Sequence, residues 1–187
     1  QAPAMAVDLY LSGDLATAYG PDDYDLRLSK KLKETAAAES DVPGTGNLKQ
    51  QLASLQRNLR QFRRREMTRI AWRDLAGWAD LEEIMQDLST FAEACIHQTV
   101  QHLYRLQCSQ NGTPRAADGS VQQLIVVGLG KLGGRELNFS SDIDLVFLFA
   151  GGGETNGRSC VANVTYFVRL GQKLIRLLNE TTPEGFV

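Results

Sequence analysis

The stretch from Gly128 to Phe149 reads GLGKLGGRELNFSSDIDLVFLF, and the spacing of its glycines and acids decides the fold. Upstream, Gln123-Leu124-Ile125-Val126-Val127 is a short β-branched run, read as a buried strand that ends at Gly128. Residues 142–149 form a second strand, closed by Gly151-Gly152-Gly153. Gly128, Gly130 and Gly133 spell G-x-G-x-x-G, which after a strand is the dinucleotide fingerprint. Its context fails. A Rossmann unit needs a crossover of at least about 10–12 residues, with the ribose-binding acid at the end of the next strand, about 20 residues on. Only seven residues separate Gly134 from Asp142, and the acids open the strand.

The acids themselves suggest other chemistry. Asp142 and Asp144, two apart on a strand, point to one face about 6–7 Å apart at Cα, while Ile143 and Leu145 point into the core. Two like charges so close call for a cation between them. Hard oxygen ligands suit Mg²⁺, which takes one or two carboxylates together with substrate phosphates. Gly133-Gly134 lets backbone N–H groups approach phosphate without obstruction, Ser140 and Ser141 add hydroxyl donors, and Lys131 and Arg135 flank the loop as phosphate-binding cations. A phosphate cradle beside a paired-carboxylate metal site is what two-metal nucleotidyl transfer requires. The structural alternative makes Asp142 a turn cap and Asp144 a strand end, which leaves aligned acids on an apolar strand without a use.

Outward from this stretch the periodicity is helical. Pro21-Asp22-Asp23 starts a helix running to about Ser40, and Asp41-Val42-Pro43-Gly44-Thr45-Gly46 breaks it. Leu48, Leu52, Leu55, Leu59 and Phe62 recur at steps of four and three, so a long amphipathic helix runs from Asn47 to about Gly77. Asp80 and Glu83 mark a capping-box start for a helix over about Leu81 to Gln107. Residues 109–120 read as a loop, 161–179 as a helix, 181–185 as a turn, and Phe186-Val187 as the first step of another strand. The fold class is α+β: a helical arm over residues 1–119, then a sheet-and-helix core over 120–187 that looks cut short.

Composition narrows the function classes. Of 187 residues, 43% are apolar and 22% charged, enough apolar surface for a packed core and too ordinary for a disordered or disulfide-scaffold protein. Twenty basic and 22 acidic residues give a net charge of −2, which argues for neither nucleic acid nor an anionic membrane surface. No apolar run approaches the roughly 20 residues of a membrane span. Cys95, Cys108 and Cys160 form no ligand cluster and read as reduced thiols of a cytoplasmic protein. The chain opens at Gln1 with no visible leader, which suggests a piece of a longer polypeptide.

GKLGGRELNFSSDIDLVF resembles the hallmark of the glutamine synthetase adenylyltransferase/adenylyl-removing enzymes, members of the DNA polymerase β-like nucleotidyltransferase superfamily. The resemblance extends over residues 48–187 through FRRREMTRIAWRDLAG (Phe62–Gly77), DLSTFAEACI (Asp87–Ile96) and FVRLGQKLIRLLNETTPEGFV (Phe167–Val187). It implies a mixed-sheet nucleotidyltransferase core and the protein glutamine synthetase as substrate. Family members carry two such domains: one removes AMP from a glutamine synthetase tyrosine by phosphorolysis, giving ADP, and the other attaches AMP from ATP. Leu137-Asn138-Phe139 and Ile143 resemble the removing half, where the attaching half has Gly-Tyr and Leu. By the same resemblance, Asp142 and Asp144 are the catalytic metal ligands, Gly133, Gly134 and Ser141 hold phosphate oxygens, and a third carboxylate is expected beyond Val187. ATP or ADP, phosphate and a nitrogen-signalling regulatory protein are the implied partners. A catalytically silent docking domain is the alternative of another class.

Several other features read as structural. Arg57, Arg60, Arg63, Arg64, Arg65, Arg69 and Arg73 are taken as a solvated helix face, with a docking surface for an acidic partner as the alternative. Arg169, Lys173 and Arg176 read as a surface stripe, and Trp72 and Trp78 as helix-packing residues. His97 and His102 do not share a helix face, so they are not a metal pair.

Overall fold

Four helices lead the chain: α1 (Ala2–Leu11), α2 (Asp23–Ser40), α3 (Leu48–Leu75) and α4 (Leu81–Asn111). The computed structural model describes residues 2–40 and 47–179; the expected breaker at 41–46 and the turn and strand start at 181–187 lie outside the described residues. The apolar positions of α3 do what their spacing predicts, since Leu55, Leu59, Phe62 and Ile70 are all buried. Asn47 caps the helix by accepting from the Lys49 N–H at 3.0 Å. At α4, Asp80 accepts from the Glu83 N–H at 2.9 Å. The Glu83 carboxylate, however, pairs with Arg73 at 2.5 Å and does not return to the cap, so only half of the capping box forms. Helix α1 is absent from the sequence reading because its apolar residues have no helical period, and Leu9 is the one fully buried residue among those described in it.

The arginine stripe of α3 is not a solvated face. Arg60, Arg69 and Arg73 are buried, Arg63 and Arg65 are half-buried, and Arg57 and Arg64 are exposed. Arg65, Arg69 and Arg73 form one inward row. Arg69 donates from Nη1 to Asp87 Oδ2 at 3.1 Å and to the Tyr24 hydroxyl at 3.0 Å, and from Nε to the Asp14 carbonyl at 3.1 Å. It also donates to the Thr17 carbonyl, and its guanidinium lies 3.4 Å from the Tyr19 ring centroid. Arg73 donates to the Leu15 carbonyl at 3.0 Å, and Arg65 pairs with Asp14 and with Glu66. Residues 14–17 lie in the connection from α1 to α2, outside helix and ladder, and the arginines donate to the carbonyls of Asp14, Leu15 and Thr17 there. Trp72 and Trp78 are also corrected, being 48% and 53% exposed.

Beyond α4 come β1 (Pro114–Ala116), β2 (Ile125–Gly128), the single turn α5 (Gly130–Gly133), β3 (Leu145–Leu148), β4 (Gly153–Thr155) and α6 (Asn163–Asn179). The strands form two antiparallel two-stranded sheets, β1 with β4 and β2 with β3, so the described part is α+β with antiparallel pairing in place of the expected mixed sheet. Strands β1 and β4 fall in segments read as loops, being too short for alternation to reveal them.

In the β2–β3 ribbon, Ile125 faces Leu148 and Val127 faces Val146. Leu145, Phe147 and Phe149 turn inward, and Phe149 stacks on Phe167 of α6 at 4.9 Å. The outer face is solvent-exposed, so β2 is not the fully buried strand its composition predicts: Ile125, Val127, Val146 and Leu148 are between 38% and 51% exposed. One apolar cluster runs from Tyr24 and Leu28 through α3 and α4 to Leu174 and Leu177 of α6. Lys173 belongs to this packing and not to a surface stripe, donating to Gln107 Oε1 of α4 at 3.1 Å.

Candidate active site

The turn after β2 is tighter than an open phosphate loop. Gly130, with φ +54°, begins the single helical turn, and a Cβ there would stand 4.0 Å from Asp144 Oδ2. The Asp144 carboxylate therefore lies close to the turn without hydrogen-bonding to it. Gly133 has a packing reason for its identity, since a Cβ would come within 2.7 Å of the Gly128 carbonyl oxygen. Leu132, buried, plugs the space beneath Gly128. Gly134 is unconfined, its nearest neighbours standing 3.6 Å from a virtual Cβ.

Asp142 and Asp144 precede β3 and do not lie within it. The ladder stops there because the opposite strand has turned away into α5. Its last bond runs from the Leu129 N–H to the Asp144 carbonyl at 2.9 Å. Ile143, expected in the core, is 41% exposed for the same reason. Both carboxylates are exposed and make no hydrogen bond or ion pair with any described residue. They line a cavity of about 480 Å³ together with Ser140 and Ser141. Leu88, Phe91, Ala92, Cys95 and Ile96 of α4 supply its apolar wall, Arg63 and Met67 of α3 a second side, and Ile175 and Leu178 of α6 a third. Gly133, Gly134, Lys131 and Arg135 are not among its walls. Arg135 instead pairs with Glu93 of α4 at 3.4 Å, and Lys131 is exposed on α5.

The approach to the acids is a closed turn. Asn138 Oδ1 accepts from the Ser140 N–H at 3.1 Å, the Ser140 hydroxyl at 3.1 Å and the Ser141 hydroxyl at 2.8 Å. In return the Asn138 N–H donates to Ser141 Oγ at 3.0 Å. Leu137, buried, anchors this turn in the core, with its N–H 3.4 Å from Ser89 Oγ of α4. Asn138 and Arg63 were not among the site residues read from sequence. An Asn two residues before a Ser-Ser pair was the available signal for the first; nothing distinguished Arg63 from its neighbouring arginines.

Two carboxylates at i and i+2 present hard oxygen donors that no cation among the described residues neutralises, a donor set that fits Mg²⁺. No third Asp, Glu, His or Cys completes a metal cluster among the described residues. Glu154 sits on β4 opposite Arg115, in the other sheet, and Glu180 and Glu184 lie outside the described residues. The remaining thiols and imidazoles have structural surroundings. Burial pushes the Cys95 thiol far up, Cys108 lies 3.2 Å from the Tyr166 hydroxyl, and Cys160 donates to the Thr155 carbonyl at 3.0 Å. His97 pairs with Asp25 of α2 at 2.7 Å. Burial, with the Arg105 charge, lowers the His102 pKa.

Residues 17–187 match the family model described as glutamate-ammonia ligase adenylyltransferase. The chain is 54% identical over 185 residues to the bifunctional glutamine synthetase adenylyltransferase/adenylyl-removing enzyme of Thioalkalivibrio sulfidiphilus, covering 99% of this chain and 18% of the relative. It is 43% identical over 187 residues to the enzyme of the same description from Nitrosococcus oceani, with 99% and 18% covered. Against that of Pseudomonas aeruginosa it is 42% identical over 186 residues, with 98% and 18% covered. The chain thus spans about a fifth of the length of these curated relatives. With the glycine turn, the aspartate pair and a match over nearly all its length, this chain belongs to the glutamate-ammonia ligase adenylyltransferase family.

Proposed function

We propose that this chain carries part of the adenylyl-removing site of such an enzyme, acting in the cytoplasm on adenylylated glutamine synthetase. In the reaction a phosphate oxygen attacks the adenylyl phosphorus of the tyrosyl-AMP ester. The bond from phosphorus to the phenolic oxygen breaks, ADP forms, and the tyrosine oxygen takes up a proton. The observation that carries this reading is the exposed, partnerless pair Asp142 and Asp144 beside the Gly130 turn, in a cavity with an apolar wall. These two carboxylates would hold Mg²⁺, which when bound stabilises charge developing on the attacking and leaving oxygens. Lys131, exposed on α5, is available to phosphate, whereas Gly133 is committed to packing. The apolar wall built on Phe91 and Ile96 would exclude water from the adenylyl group and so favour phosphate as the attacking species.

In this reading β2, the glycine turn, β3 and α6 begin a DNA polymerase β-like core over residues 120–187, and residues 1–119 are its helical arm. A third carboxylate would come from the longer polypeptide, and a nitrogen-signalling protein would regulate the enzyme. Asn138-Phe139 and Ile143 favour removal over attachment. Among the described residues no helix is long and apolar enough to cross a membrane.

The test is made in the full-length enzyme. Asp142→Asn or Asp144→Asn should abolish AMP release from adenylylated glutamine synthetase and leave AMP attachment from ATP largely intact. Loss of attachment with removal spared would assign the chain to the other half. Retention of both would make it a docking domain.

A further inference from the structure

We propose that Asn138 is the positioning residue of this site: its side-chain amide holds Ser140 and Ser141 in one closed turn and thereby sets where Asp142 and Asp144 are presented. This rests on the reading of the two aspartates as the metal-holding pair. The segment that bears them is tied to the rest of the molecule at two places. Leu137 is fixed in the core at one end, and the Leu129 N–H holds the Asp144 carbonyl at 2.9 Å at the other. The side-chain hydrogen bonds that brace the six residues between those anchors converge on Asn138. Its Oδ1 gathers three donors, the Ser140 N–H and both serine hydroxyls, while its own N–H returns to Ser141 Oγ. The Ser141 N–H also donates to the Asn138 carbonyl at 3.2 Å.

The roles of the serines change accordingly. Both hydroxyl protons are committed to Asn138, so Ser140 and Ser141 act as braces and not as donors to a phosphate oxygen. Asn suits this post because a short side-chain carbonyl reaches backbone and hydroxyl donors two and three residues on, closing the turn locally. Removing that carbonyl leaves the three donors to water in an exposed turn, which costs the global fold little. The loss falls on precision. Displacing a reacting group by about 1 Å can cost on the order of 100-fold in rate, and the aspartates lie only a few residues beyond the brace.

The experiment compares Asn138→Ala, Asn138→Asp and Ser141→Ala in the full-length enzyme, with Asp142→Asn run alongside. AMP removal is measured against inorganic phosphate concentration, Mn²⁺ binding by loss of the free-ion resonance, and amide exchange over residues 137–144 in metal-free protein. For Asn138→Ala, kcat falls at least about tenfold and the KM for phosphate stays within about twofold. Mn²⁺ binding at the site that Asp142→Asn removes weakens, and the amides of Ser140 and Ser141 exchange faster. Asn138→Asp keeps the accepting oxygen and recovers most of the rate. Ser141→Ala lowers kcat without raising the KM for phosphate.

An unchanged kcat and Mn²⁺ affinity in Asn138→Ala, or no recovery with Asn138→Asp, overturns the proposal. So does a raised KM for phosphate with kcat intact in Ser141→Ala, because that hydroxyl would then be holding substrate. If Asp142→Asn spares AMP removal, the removing assignment fails separately. The same comparison is then made on AMP attachment, with the KM for ATP in place of that for phosphate.

Discussion

Arg69 of α3 and Asp87 of α4 meet at 3.1 Å with their side chains 0% and 4% exposed, an ion pair closed off from water. Around it the Tyr24 hydroxyl, the carbonyls of Asp14 and Thr17 and the Tyr19 ring fill the remaining contacts of the guanidinium. A single arginine thereby joins four parts of the chain: α2, α3, α4 and the α1–α2 connection. Breaking such a pair from one side strands a buried charge, at a cost of about 3–5 kcal/mol. Asp87→Ala should lower the unfolding free energy of the 187-residue chain by that amount in urea titration. Asp87→Leu with Arg69→Met should lose less than the sum of the single changes.

Asp14 gives the same cluster a pH dependence. Burial opposes its charge, but hydrogen bonds from Arg65, Ser12 and Arg27 outweigh that and bring its pKa down to about 2. A carboxyl whose pKa is lower in the folded state contributes stability above its unfolded value, and loses it as pH falls toward the folded one. The stability difference between wild type and Asp14→Asn should be constant above about pH 5 and close between about pH 4 and pH 2. Urea midpoints for both proteins across that range would show it; a difference independent of pH would refute the coupling.

The adjacent glycines of the turn should respond differently. Gly133→Ala forces a methyl to within 2.7 Å of the Gly128 carbonyl oxygen and should destabilise by about 1–3 kcal/mol. Gly134→Ala meets nothing closer than 3.6 Å and should stay within about 0.5 kcal/mol of wild type. Thermal melts of the two variants make the comparison directly.

The aspartate pair should separate activity from stability. Neither carboxylate has a described partner to lose, so Asp142→Asn and Asp144→Asn should each leave the unfolding free energy within about 0.5 kcal/mol of wild type, or raise it slightly by relieving repulsion. A loss of several kcal/mol would mean that these acids are structural.

Much of this was legible in the sequence where a pattern was long. Helix α3 was recovered from Leu48, Leu52, Leu55, Leu59 and Phe62, with its start near Asn47. The aspartates, the serines and the glycine turn were singled out by spacing, and the structure sets Asp142 and Asp144 beside both serines in one cavity. What escaped depended on partners distant in the chain. Arg69 reads like any exposed arginine until Asp87, 18 positions away, arrives beside it. Strand β1 is defined by its pairing with β4, and no local pattern announces that the Gly128 carbonyl will press against Gly133. Trp72 and Trp78 failed in the other direction: large aromatic residues invite a packing role, but Trp72 on α3 and Trp78 in the connection from α3 to α4 are both about half exposed.

The outer face of the β2–β3 ribbon has a colloidal consequence. Ile125 opposite Leu148 and Val127 opposite Val146 make an apolar tile, with no further strand laddered to either edge among the described residues. A ribbon of this kind is a template on which another extended segment can add, through backbone bonds at the rim and side-chain contact across the face. In concentrated solution the 187-residue chain should therefore associate through these four residues. A lysine placed at Val127 or Val146, pointing into water from the middle of the tile, is the substitution that should keep it dispersed.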